Sequence, residues 1–296
     1  MAEQAQEQYE KYYVPEQSVW PIVGAVALFL IAVGAGNYVV EVTRDKSGIG
    51  GYVLLAGLVM LTVMVFGWFK NQIDESMSGL YSAQLGRSYR QGMAWFIFSE
   101  VMFFAAFFGA LFYARTIAVP WLGGASNNAM TNEVLWPTFE AMWPLTSTPG
   151  GVQTTPMGWY GLPLINTVIL LVSSVTLHYA HTGLEGNKRK QLIAMLGATI
   201  LLGSIFLALQ VYEYIHAYRD LGLTLQSGIY GNTFFLLTGF HGLHVTLGTI
   251  ILIVLFLRVL KGHFTPKEHF AFQAGAWYWH FVDVVWVMLF FFVYIL

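Results

Sequence analysis

The 296-residue chain contains no cysteine, and only 10% of its residues are charged. The first absence excludes disulfides, iron–sulfur clusters and thiolate metal sites. The second excludes an ordinary soluble domain, in which about 25% of residues carry charge. Lys and Arg number 14 against 16 Asp and Glu, a formal net charge of -2 with no basic patch or arm, so no nucleic-acid partner is expected. What fills the space is apolar: 56% of residues are hydrophobic and 17% aromatic, including 10 Trp and 16 Tyr. Mean hydropathy is +0.59. Trp and Tyr favour membrane interfaces because their rings are apolar at one end and polar at the other. These balances predict an integral membrane protein.

Apolar runs long enough to cross a bilayer fall at 19–40, 51–69, 92–113, 161–180, 192–214, 231–257 and 274–296, which predicts an all-α protein of seven transmembrane helices. The 18 residues before the first run are polar and carry four glutamates, unlike the basic start of a signal peptide, so the first run is expected to be retained. With the N-terminus inside, ten of the 14 Lys and Arg, Lys11 among them, lie on inner segments, which puts the C-terminus outside. The expected organisation is a polar tail at 1–18, a helical hairpin at 19–70, a polar inner linker at 71–91 and a five-helix bundle at 92–296. An outer segment at 116–160 holds five of the nine prolines together with Trp121, Trp136, Trp143 and Trp159, and reads as an irregular cap at the interface. No inverted repeat of the kind many transporters use is apparent.

Polar residues at membrane depth carry the functional information. Glu100 lies about 12 Å into the third run, near the middle of a hydrocarbon layer about 30 Å thick. An ionised acid there costs about 2.5–3.5 kcal/mol, so Glu100 should be protonated or face protein, water or a polar partner. Its neighbours three and four residues away, Phe96, Ile97, Phe103 and Phe104, are all apolar, so any partner must come from elsewhere. Asp283, in the last run, is a second intramembrane acid, and His280 shares its helical face, which suits a structural contact between helices. His241 and His244 stand three apart, as do His178 and His181. Such pairs can share a metal, and opposed histidines can clamp a haem. Close helix approach through Gly239, Gly242 and Gly248 is the simpler account of the first pair. Glu213 and His216 read as a solvated pair at the interface. Arg258, Lys261, His263, Lys267 and His269, with Trp68 and Lys70 at the end of the second run, suit anionic phospholipid headgroups or ordinary inner-surface anchoring. These residues alone stop at a seven-helix membrane protein with two buried acids.

Longer motifs carry a resemblance. VWPIVGA, RSYRQGMAWFIFSEVMFF, GLPLINTVILLVSSVTLHYAH, LQVYEY, SGIYGNTFFLLTGFHGLHVTLGT and HFTPKEHFAFQAGAWYWHFVDVVW, in that order, resemble subunit III of cytochrome c oxidase, the third core subunit of haem–copper respiratory oxidases. The resemblance implies seven helices, two set apart from five by a V-shaped cleft filled with phospholipid. It implies no catalytic residue, metal or haem in this chain, with haem and copper in partner subunits. It also implies direct packing on subunit I, subunit II in the same complex and cytochrome c as electron donor to it. The expected role is support of proton uptake by a proton-pumping oxidase and protection of subunit I from inactivation during turnover. By motif, Glu100 is similar to the family's carbodiimide-reactive carboxylate, and Arg258, Lys261, His263 and, more loosely, Trp68 resemble its lipid contacts. Gln273 replaces a glutamate common before AWYWH, and Asp74 stands where a basic residue is expected. Both put identical headgroup chemistry in doubt. The expected location is a bacterial cytoplasmic membrane. Rival readings are a quinol-oxidising relative, a proton-coupled transporter using Glu100 and Asp283, and a haem protein using His241 and His280.

Overall fold

The computed structural model describes residues 13, 14 and 16–296, so most of the polar tail, with Lys11, lies outside the described residues. Among those residues seven helices are long and apolar enough to cross a membrane, as expected from the sequence. They are α1 (Trp20–Thr43), α2 (Gly50–Met77), α3 (Ala83–Tyr113), α6 (Leu162–Glu185), α7 (Arg189–Arg219), α8 (Ile229–Leu260) and α9 (Phe270–Leu289). Short helices α4 (Val119–Leu122) and α5 (Ala129–Leu135) lie between the third and fourth of them. The only β pairing among the described residues is one isolated bridge, Ser147 to Gln153. The chain divides within α3 into two compact units, one ending at Tyr89 and one spanning Arg90–Leu296.

In the first unit α1 and α2 form a hairpin whose seam is glycine. A Cβ on Gly34 would strike the backbone of Leu54, and one on Gly50 the backbone of Tyr38. Neither neighbour is a flexible side-chain tip, so both positions permit backbone approach that no larger residue allows. The Glu41 carboxylate accepts the Gly50 N–H at 3.0 and 3.2 Å through its two oxygens, meeting a donor that the first turn of α2 leaves free. The linker expected at 71–91 is mostly helix, because α2 runs on to Met77 and α3 begins at Ala83. Its polar residues stabilise that extension by contacts of their own. Tyr81 Oη lies 3.1 Å from Gln72 Oε1 and 3.2 Å from Glu75 Oε2, and Tyr89 donates to Gln72 Oε1 at 2.9 Å. Burial first, then the neighbouring Tyr89 and Glu75, raise the Tyr81 phenol well above its ordinary pKa.

In the second unit the core lies among α6, α7, α8 and α9, and indoles organise it. Trp279, fully buried, donates its Nε1 proton to Ser173 Oγ on α6 at 2.9 Å. Its ring fills space left by Gly203 on α7 and Gly248 on α8, where a Cβ would come within 2.6 and 2.9 Å of it. Trp286 repeats the arrangement two turns on, donating to Thr167 Oγ1 at 2.9 Å. Gly248 therefore provides the close approach expected of the glycines in α8. Gly242 does not, since a Cβ there meets open space.

The segment at 116–160 is less irregular at its start than its prolines imply. A π turn at Ala114–Ala118 carries α3 directly into α4. Asn132 on α5 then donates to the carbonyls of Leu122 and Trp136, both at 3.0 Å. Thr155 N donates to Leu221 O at 3.0 Å and Met157 N to Tyr230 Oη at 3.2 Å, fastening the extended end of the segment to the bundle.

Candidate functional site

Glu100 finds its partner on another helix of the same unit. The His244 ring of α8 places Nε2 2.9 Å from Glu100 Oε2, while its Nδ1 lies 2.7 Å from the Phe240 carbonyl one turn earlier. A carbonyl only accepts, so Nδ1 carries a proton. A neutral imidazole would then face Glu100 with a lone pair, which an ionised carboxylate cannot meet at this distance. Either Glu100 donates an O–H to Nε2, or an imidazolium donates to the carboxylate. In both forms the pair shares one proton and is neutral overall, which meets the cost of burying an acid at this depth. The surrounding wall is aromatic: the Phe104 and Phe103 ring centroids lie 5.0 and 5.9 Å from the imidazole, with Tyr278 at 6.4 Å. Glu100 keeps 22% of its side-chain surface exposed against 10% for His244, so the proton is shielded but not sealed in.

The other intramembrane acid is arranged differently. His280 and Asp283 share a face, but His280 Nδ1 bonds Ser174 Oγ on α6 at 2.6 Å and stands 3.8 Å from Asp283 Oδ2. That last distance is too long for a hydrogen bond. Neither carboxylate oxygen of Asp283, which is buried, has a hydrogen-bond partner among the described residues. The helix-to-helix contact runs through His280, with Asp283 behind it.

His241 is fully buried and donates Nε2–H to the Val282 carbonyl at 3.2 Å, its ring lying against Trp286 at 4.9 Å and Phe206 at 5.8 Å. A haem clamped by His241 and His280 would have to displace this packing as well as the bonds to Val282 and Ser174. His178 and His181 also fail to face each other: His178 is exposed beside Tyr179, while the His181 ring meets His269.

Glu213 corrects an expectation. It does not form a solvated pair with His216, because it lies on the face of α7 turned to the π turn Phe290–Ile295 that ends the chain. There it is 1% exposed and accepts the Tyr294 O–H at 2.5 Å. His216, on the exposed face, pairs with Asp220 one turn later at 2.6 Å. The sequence signal for this arrangement is the terminal run of aromatics with a single hydroxyl, Tyr294, which needs an acceptor if buried.

Of the residues expected at lipid headgroups, Lys261 is exposed, whereas Arg258 is 8% exposed with its guanidinium 4.5 Å from the Phe264 ring centroid. His263 is half-buried, with no hydrogen-bond partner for Nδ1 among the described residues. In the hairpin unit Trp68 and Lys70 are exposed. Gln273 has a partner of its own: Arg90 Nη1 donates to its Oε1 at 2.8 Å while lying 5.3 Å over the Phe270 ring.

The comparisons agree with this architecture along its whole length. The family described as cytochrome c oxidase subunit III matches residues 10–296. Curated relatives named cytochrome c oxidase subunit 3 include those of Latimeria chalumnae, 39% identical over 284 residues, and of Cyprinus carpio, 38% identical over 284 residues. The Homo sapiens relative is also 38% identical over 284 residues. Each alignment covers 96% of this chain and 96% of the relative. A chain with this seven-helix pattern, matched from residue 10 to its last residue, belongs to the cytochrome c oxidase subunit III family.

Proposed function

We propose that this chain is the non-catalytic third core subunit of a proton-pumping cytochrome c oxidase, packed on subunit I with subunit II in the same complex. Cytochrome c delivers electrons to that complex, and its haem and copper reside in the partner subunits. The observation that carries this reading is the family match across residues 10–296. The geometry supports it: His241, His244 and His280 each commit a ring nitrogen to a protein partner, which leaves their polarity to structural and proton-handling roles.

Within that role Glu100 and His244 hold one exchangeable proton at mid-membrane depth and tune proton uptake by subunit I, or fix helix packing beside it. Lys261, with Arg258, His263, Trp68 and Lys70, contributes to retaining phospholipid, and the bound lipid with the bundle protects subunit I during turnover. The excess of Lys and Arg on one set of connections supports an inner N-terminus and an outer C-terminus. The working division is a hairpin at 19–70, a linker at 71–91 and a bundle at 92–296. The relatives named above are vertebrate proteins and do not carry the expectation of a bacterial membrane, so the reading keeps to a multi-pass protein of a respiratory membrane.

The test is purification through a tag on this chain in mild detergent. Subunits I and II should co-purify with the visible spectrum of a haem–copper oxidase, and the complex should oxidise cytochrome c. Isolation of the chain without haem-bearing partners, or with an enzyme that accepts only quinol, would overturn the assignment. Removing the chain from the complex should leave initial oxygen reduction intact and shorten the active lifetime.

A further inference from the structure

Three groups that ligate metals converge where the last turn of α6 meets the start of α9. His181 and Glu185 stand one turn apart on α6, and His269 is the residue immediately before the first turn of α9. One ligand atom from each lies within 4.8 Å of the other two. Three features separate this cluster from a chance meeting of polar side chains. His181 Nε2 is buried and has no hydrogen-bond partner among the described residues, although Glu185 Oε1 stands 3.7 Å away. That separation is too long for a hydrogen bond. It is close to the spacing of about 3.3 Å that two ligands take on one tetrahedral zinc with bonds of about 2.0–2.1 Å. Second, His269 Nδ1 lies 3.2 Å from the Thr265 carbonyl, which fixes the proton on Nδ1 and leaves Nε2 with a free lone pair. Histidines that hold metals are commonly oriented in this way by a backbone carbonyl. Third, the His181 ring is stacked on Phe272 at 5.7 Å and meets the His269 ring at 5.4 Å, so the two imidazoles are held together by packing.

From this arrangement we propose that His181, Glu185 and His269 bind a divalent transition metal of the zinc class. Two imidazoles and one carboxylate suit Zn2+ and disfavour Mg2+ or Ca2+, which take oxygen ligands. Glu185, whose side chain is 56% exposed, has room to turn toward the two imidazoles. That exposure also leaves a fourth coordination position to water, as in three-ligand zinc sites. A bound ion ties the end of α6 to the loop that enters α9, bracing two helices whose remaining contacts are apolar or through hydroxyls. The site is separate from the Glu100–His244 pair and shares no residue with it.

The test is equilibrium dialysis of the purified full complex against Zn2+ alone, with metal counted per chain by mass spectrometry. The same measurement is made on Glu185→Gln, on the double variant His181→Gln with His269→Gln, and on His178→Gln as a neighbouring control. Wild type and the control should retain one zinc per chain that the double variant lacks. Glu185→Gln, an exposed isosteric change that leaves the helix intact, should weaken binding at least tenfold. Co2+ in place of Zn2+ should give visible ligand-field bands that Glu185→Gln alters. Equal zinc content in wild type and Glu185→Gln, or no zinc in wild type, would overturn the proposal even if the double variant failed to fold.

Discussion

The two units of this chain solve one problem by different means. Water does not drive helices together inside a bilayer, so association rests on close packing and on polar groups that find each other. The hairpin unit uses glycine against backbone along its seam, at Gly34 and Gly50, with the Glu41 carboxylate at one end. The bundle unit uses large aromatic rings tied by single hydrogen bonds to hydroxyls, as Trp279 is to Ser173 and Trp286 to Thr167, and seats Trp279 in the gap left by Gly203 and Gly248. It can therefore bury the acids Glu213 and Asp283 and pair Glu100 with His244, which a thin two-helix seam has no interior to do. Chemistry-bearing residues follow from this difference: they collect where aromatic bulk creates an interior.

The contrast can be broken at several points. Trp279→Ala should have the largest effect, because it empties the space between Gly203 and Gly248 and removes the indole N–H that Ser173 Oγ accepts. A loss of about 3–5 kcal/mol is expected from truncating a buried Trp, read as a lowered unfolding midpoint of the complex in detergent. His244→Leu should cost about 1–3 kcal/mol, since it leaves the Glu100 carboxyl without its partner. Gly34→Leu should cost about the same through overpacking against backbone that cannot yield. Its effect should be confined to protease protection of the hairpin, with the bundle unchanged. A uniform loss of protection in both units would show that the two are not separate in stability. Glu41→Gln should weaken only the entry into α2, by about 1 kcal/mol, the scale of a lost helix cap.

Much of this was legible in the sequence, and the limit has a physical cause. Seven apolar runs fix seven helices because a bilayer demands that each span satisfy its own backbone. Glu100 stood out as a lone acid with apolar neighbours on its own helix. Its partner did not stand out, because His244 is 144 residues away in the chain and only the packing of α8 on α3 brings it close. Glu213 was misread for the same reason. Spacing of three residues says which side chains share a helix face, but not that Glu213 turns toward Tyr294 while His216 turns toward Asp220. The extension of α2 to Met77 was hidden by polar composition, which reads as a loop until Gln72, Tyr81 and Tyr89 are seen bonding to one another. Local periodicity, in short, is readable and cross-helix partnership is not.

The smallest expected effect is the most informative. Glu100→Gln leaves a group of the same shape that donates an amide N–H to His244 Nε2 while His244 Nδ1 stays on Phe240. The interhelical bond survives as a neutral one, so stability should change by less than about 0.6 kcal/mol, the average worth of such bonds in a membrane. Co-purification with subunit I should be unaffected. What the substitution removes is the proton that the acid and the imidazole exchange. Proton uptake in reconstituted vesicles should therefore slow relative to wild type while assembly and melting stay level. If assembly fails instead, the pair is a packing device. If assembly, melting and proton uptake all match wild type, the shared proton has no part in function, and the pair is one more neutral contact between α3 and α8.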